Sequence, residues 1–138
     1  MRSRSRPLTM RGDKGVGVAD LYFDLRRSKS QPVERLRVIG TRISVGRGKA
    51  SAIQLFSSGV SRRHAVFELR ERVWYLKDLG SSNGTFLNGD RISLAEVRPR
   101  DMILFGGEEA LMRIRALDPP PPASMGDETR DVMFGPSG

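Results

Sequence analysis

The chain has 138 residues, with 24 Lys+Arg against 16 Asp+Glu, one His and no Cys. That length gives one domain with a single buried core and room for tails. The lack of Cys excludes a disulfide framework, a Cys-ligated zinc and thiol catalysis, and one His excludes a His-cluster metal site. No cofactor is expected. No apolar run approaches the roughly 20 residues of a membrane helix, and the basic N-terminus has no apolar stretch behind it, so it does not read as a secretory signal. A soluble, cytoplasmic chain is the expectation.

Residues 1–18 alternate Arg and Ser, set five cations against Asp13, and then pass through Gly12, Gly15 and Gly17. They read as a flexible basic tail. Leu21, Phe23 and Leu25 then alternate with Tyr22 and Asp24, a period-2 signal for a half-buried strand. Short strand-like runs follow at Arg42–Gly46 and Ala52–Leu55. Ala65, Phe67 and Leu69 alternate with Val66 and Glu68, and Val73–Asp78 is an aromatic and β-branched run. Met102–Phe105 and the alternation of Met112, Ile114 and Ala116 with two arginines complete the set. Turn signals lie between them at Ser57-Ser58-Gly59, Ser81-Ser82-Asn83-Gly84 and Asn88-Gly89. The last suits a type I′ hairpin, where both central residues need positive φ. Trp74 and Tyr75 read as core or sheet-face residues. No segment has a helical stripe, and many short strands with frequent turns predict an all-β sandwich or barrel over residues 19–117. Asp118 and four prolines open a second tail, 118–138, with four carboxylates against Arg130. The body between the tails is strongly basic and attracts anions.

Several motifs fail on inspection. Gly15-x-Gly17 lacks the third glycine of a dinucleotide fingerprint, and Gly46-Arg47-Gly48-Lys49-Ala50 lacks the spacing of a P-loop. Ser61 and His64 have no orienting acid or oxyanion site singled out for them, so no hydrolase is read here and the chain is expected not to be an enzyme. A stronger pattern lies in the connections. Gly46-Arg47 follows one strand. Val60-Ser61-Arg62-Arg63-His64-Ala65 opens another. Asp78 to Gly89, DLGSSNGTFLNG, joins two more. Each supplies cations or small polar donors at a strand end. Arginine presents a planar fork to phosphate oxygens, and Ser and Asn add short directional bonds.

With GR, SRRHA, DLGSSNGTFLNG and FG in that order between Gly46 and Gly106, the chain resembles the forkhead-associated (FHA) domain family over about Ala19–Leu117. The resemblance implies a β-sandwich of two mostly antiparallel sheets with about eleven short strands. It also implies a non-enzymatic module that binds phosphothreonine peptides through loops at one end, in phosphorylation-dependent protein–protein interaction during signalling. Carried over, the resemblance implies that Arg47 contacts the phosphate or the peptide backbone beside it, that Ser61 gives its hydroxyl to the phosphate, and that Arg62 supplies a second cationic contact. Ser82 approaches the phosphate or its threonine, and Asn83 holds the peptide backbone. Gly46, His64, Gly84 and Thr85 are implied to support the site, and Arg63 reads as an exposed charge. The partner implied is a phosphothreonine-containing protein, a kinase or a kinase substrate. A basic nucleic-acid-binding protein is the alternative, disfavoured by few aromatics and no recognition helix. A monomer is the expected state. Two positions depart from the family pattern: Ala52 stands where Asn or Asp is frequent, and Arg100 where Gly is frequent. In the C-terminal tail, Thr129 sits in an acidic island and is a candidate regulatory phosphosite for self-binding; an acidic tail without that role is the plainer reading.

Overall fold

A computed structural model describes residues 19–121; the N-terminal tail, most of the C-terminal tail and Thr129 lie outside the described residues. The described residues form eleven strands: β1 (Asp20–Arg26), β2 (Val33–Ile39), β3 (Arg42–Gly46), β4 (Ile53–Gln54), β5 (Ala65–Arg70), β6 (Val73–Asp78), β7 (Thr85–Leu87), β8 (Asp90–Ile92), β9 (Leu94–Glu96), β10 (Met102–Phe105) and β11 (Ala110–Asp118). They build a six-stranded sheet, β2-β1-β11-β10-β7-β8, and a five-stranded sheet, β4-β3-β5-β6-β9. All pairs are antiparallel except the short β3–β4 pair. This is the all-β sandwich expected from the resemblance. Among the described residues no helix is long and apolar enough to cross a membrane.

The alternations seen in the sequence become the two inner faces. Leu21, Phe23 and Leu25 on β1, with Met112 and Ile114 on β11, meet Ile43, Val45, Phe67, Trp74 and Leu76 of the other sheet, all essentially buried. Each such side chain contributes roughly 1.5–3 kcal/mol on leaving water. Trp74 lies in this core and its indole Nε1 donates to the Asp118 carbonyl at 3.3 Å. Tyr75 is half-buried on the sheet face, with the Arg70 guanidinium 5.6 Å from its ring centroid.

The connections follow backbone chemistry. The β7–β8 hairpin turns on Asn88 (φ 51°) and Gly89 (φ 93°), the positive pair that a type I′ turn requires. The β5–β6 hairpin has the same signature at Glu71 (φ 51°) and Arg72 (φ 74°), neither a residue that favours it. The chain leaves β3, β4 and β6 at one end of the sandwich, and this end gathers the β3–β4, β4–β5 and β6–β7 loops.

Candidate functional site

The β4–β5 loop is clamped through four successive carbonyls. Gly59 O accepts from Asn83 Nδ2 at 2.9 Å, Val60 O from Arg47 Nε at 2.9 Å, Ser61 O from Arg47 N at 3.0 Å and Arg62 O from Gly48 N at 3.1 Å. With its carbonyls held by the neighbouring loops, the segment sinks Val60 into the core and leaves the Ser61 and Arg62 side chains at the rim. Gly46 permits this approach: a Cβ there runs into the Arg62 carbonyl. Glycine therefore ends β3 because a second backbone occupies the side-chain space.

His64 ties the loops together from beneath. It is fully buried, its Nδ1 accepts from Ser61 N at 3.0 Å, and its Nε2 faces the Gly84 carbonyl at 2.9 Å. An acceptor at Nδ1 and a donor at Nε2 define the neutral ring with the proton on Nε2. Burial pushes its pKa below the ordinary 6.5, against the opposing pulls of the Gly84 carbonyl and the Asp78 charge. The ring stands edge-on to Phe105 at 5.8 Å.

Asp78 organises the β6–β7 loop. Its Oδ1 accepts from Ser81 Oγ (2.6 Å) and Thr85 Oγ1 (2.7 Å), and its Oδ2 from the N–H groups of Gly80 (2.9 Å) and Ser81 (3.0 Å). Burial raises the carboxyl's pKa, but these bonds outweigh it and hold the group below its usual range. Ser81 Oγ in turn accepts from Gly84 N at 3.0 Å, and Thr85 is fully buried. The turn therefore presents Ser82 and Asn83 outward, both exposed.

The five residues expected to contact a ligand stand on these three loops. Arg47 is exposed; with Nε on Val60 O, its two terminal nitrogens have no partner among the described residues. Ser61 is half-buried, and its Oγ accepts from Ser82 N at 3.3 Å, which leaves the hydroxyl proton free to donate outward. Arg62 is exposed beside it, with its side chain unpaired among the described residues. Asn83 already spends one amide proton on Gly59, and its Oδ1 and second N–H stay available to an incoming backbone. Sequence reasoning missed two contributors. Asp78 was legible in the Asp-x-x-Ser turn pattern. Arg91 was not: it sits on β8, and its Nε lies 2.8 Å from where a Cβ on Gly84 (φ 94°) falls, which brings another cation to this end. Among the described residues, no group of three His, Cys, Asp or Glu is placed to hold a metal ion.

Cationic forks, an outward hydroxyl and an amide on one rim suit a tetrahedral dianion attached to an extended peptide. The FHA domain family model matches residues 43–106, the stretch that carries all three loops. Residues 43–106 thus carry an FHA domain. Its FHA domain is similar to part of the probable E3 ubiquitin-protein ligase dma1 of Schizosaccharomyces pombe, 52% identical over 46 residues; the match covers 33% of this chain and 17% of the ligase. The chain thus spans about a sixth of that relative. Among solved structures, the FHA domain resembles one described as "Structural and functional analysis of phosphothreonine-dependent FHA domain interactions", with TM-score 0.54 and 28% identity over 71% of this chain and 94% of that one. It also resembles Mycobacterium tuberculosis EmbR in complex with a low-affinity phosphopeptide, with TM-score 0.54 and 29% identity, covering 70% of this chain and 25% of that one.

Proposed function

We propose that this FHA domain, residues 19–117, is a recognition module for phosphothreonine peptides, with Arg47, Ser61 and Arg62 on the phosphate, Ser82 beside the phosphothreonine, and Asn83 on the ligand backbone. The observation that carries this reading is the convergence of the three loops on one rim around buried, neutral His64. Two solved relatives, one described by phosphothreonine-dependent interactions and one holding a phosphopeptide, support the ligand class.

The energetics fit. A phosphothreonine carries about −1.5 to −2 charges at pH 7, and each hydrogen bond involving a charged group contributes roughly 1.5–3 kcal/mol. Two or three such bonds outweigh anything an unmodified threonine offers. His64, Gly46, Gly84 and Thr85 act by fixing the loops. The reading is of a binding module without chemistry of its own; the ligase activity in the relative's name belongs to a protein of which this chain spans a small part. The nucleic-acid alternative draws support only from net charge.

Calorimetry with a phosphothreonine peptide tests the reading. Ser61→Ala removes one donor to the dianion, about 1.5–3 kcal/mol, or about ten- to a hundredfold in Kd. Arg47→Ala weakens binding at least as much. Circular dichroism serves as the fold control. Unchanged affinity in both folded variants rejects the assignment.

A further inference from the structure

The phosphate rim does not use Arg63 or Lys49, and both border a second feature. On the outer face of the five-stranded sheet runs a groove of about 420 Å³ lined by Arg42, Ser44, Lys49, Arg62, Arg63, Val66 and Leu79, together with the Gly48–Ser51 turn. Val66 alternates with the core residues Ala65 and Phe67, so it faces outward from its strand. It is nevertheless only 2% exposed. The floor is therefore apolar and shielded, and four cations stand along it.

The charges are unbalanced. Arg42 pairs with Glu68, but Glu68 is already shared with Arg70. Lys49, Arg62 and Arg63 have no carboxylate partner among the described residues, and Lys77 stands across from Val66 on β6. Like charges around a low-dielectric floor focus the field into the cleft. The groove also shares Gly48 and Arg62 with the phosphate rim. The groove is therefore continuous with that rim.

We infer that this groove is a second anion subsite, which takes an acidic or phosphorylated side chain of the same peptide whose phosphothreonine sits at Arg47, Ser61 and Arg62. The inference rests on the phosphothreonine reading above. Lys49 and Arg63 are its specificity-determining residues. They stand beyond the primary contacts and select ligands with a second negative charge at one flanking position. An exposed ion pair is worth little singly, whereas two cations over a shielded floor act together on one anion.

The test uses short peptides with a central phosphothreonine in an Ala/Gln background, and the same peptides with one Glu or one phosphoserine walked through the flanking positions. Affinities are measured on the full chain at low and high salt. At one position Glu strengthens binding about fivefold and phosphoserine more, because it carries about twice the charge. High salt shrinks the gain. Lys49→Ala/Arg63→Ala removes the gain and leaves the neutral-flanked peptide within about twofold. Lys49→Glu/Arg63→Glu turns it into a penalty and favours Lys at that position. No gain at any position, or a gain that survives in the double alanine variant, overturns the inference alone. Failure of the neutral-flanked phosphothreonine peptide to bind the wild-type chain overturns the primary reading and the subsite with it.

Discussion

Acidification perturbs one group at the centre of this architecture, and the chain's single histidine makes it separately observable. His64 is fully buried with Nδ1 accepting from Ser61 N and Nε2 on Gly84 O. Protonation turns Nδ1 into a donor facing another donor, so it removes one bond and sets two N–H groups against each other. The folded-state pKa is pushed below the ordinary 6.5 by burial, whereas the unfolded chain titrates near that value. Between the two values the unfolded state binds more protons, so stability falls as pH drops below about 6.5, by up to ~1.4 kcal/mol per pH unit for one group. Against a typical domain stability of about 5–15 kcal/mol, that loss is readily measured by urea unfolding from pH 7.5 to 5.5, with the imidazole followed by NMR. Asp78 is held below its usual range and stays ionised there. Removing the ring altogether, His64→Ala, leaves Ser61 N–H and Gly84 O without their buried partner at roughly 1–3 kcal/mol each, and adds a cavity term. The variant is expected to lose at least about 3 kcal/mol and its peptide affinity together. A His64 that titrates at or above its ordinary pKa, or a stability that is flat or rising toward pH 5.5, refutes the reasoning.

Other expectations follow from single contacts. Gly46→Ala drives a Cβ into the Arg62 carbonyl; it should cost about 1–3 kcal/mol and weaken phosphopeptide binding, as read by thermal melts and calorimetry. Replacing Glu71-Arg72 by Asn-Gly puts favoured residues at φ 51° and 74° and should add about 1 kcal/mol to urea stability with no change in binding. Asp78→Asn loses a charged acceptor shared by Ser81 and Thr85 and should cost about 1.5–3 kcal/mol at pH 7. Because Asp78's folded pKa is depressed, its stabilisation is present above the ordinary carboxylate pKa and is lost as pH falls through the folded value. The gap between wild type and Asp78→Asn should therefore close at strongly acid pH.

The fold was most readable where alternation was unbroken. β6 runs over Val73–Asp78 as the aromatic and β-branched run suggested, and β1 follows its period-2 stripe. β11 follows its stripe only through Ile114: the register with β1 shifts between Tyr22 and Phe23, skipping Arg115, so Leu117 and not Ala116 enters the core. β2 went unread because its apolar residues fall on both parities: Leu36 and Val38 pack on the core, while Val33 and Ile39 at the ends of the edge strand are 65% and 60% exposed. β7, β8 and β9 have three residues each, too few to show a period. The apolar run at Ala52–Leu55 shrinks to the two-residue β4, because the chain turns away into the site loop. Ala52, the departure from the family's frequent Asn or Asp, is anchored instead by its own N–H, which donates to Ser44 Oγ at 2.9 Å. Arg100 stands at φ 78°, a conformation glycine adopts at no steric cost, which accounts physically for glycine's frequency there in the family. Within the site, the rim residues were readable as motifs, since each is local to one loop. Arg91 was not, because only the folding of the β7–β8 hairpin brings it over Gly84.

The central claim is that three loops form one phosphate-reading rim. An amide-resolved NMR titration of the chain with a phosphothreonine peptide and its unphosphorylated twin tests it most directly. The account predicts shifts concentrated at residues 46–48, 61–62 and 82–84 with the phosphorylated peptide and none with its twin; shifts elsewhere, or equal responses to both peptides, contradict it.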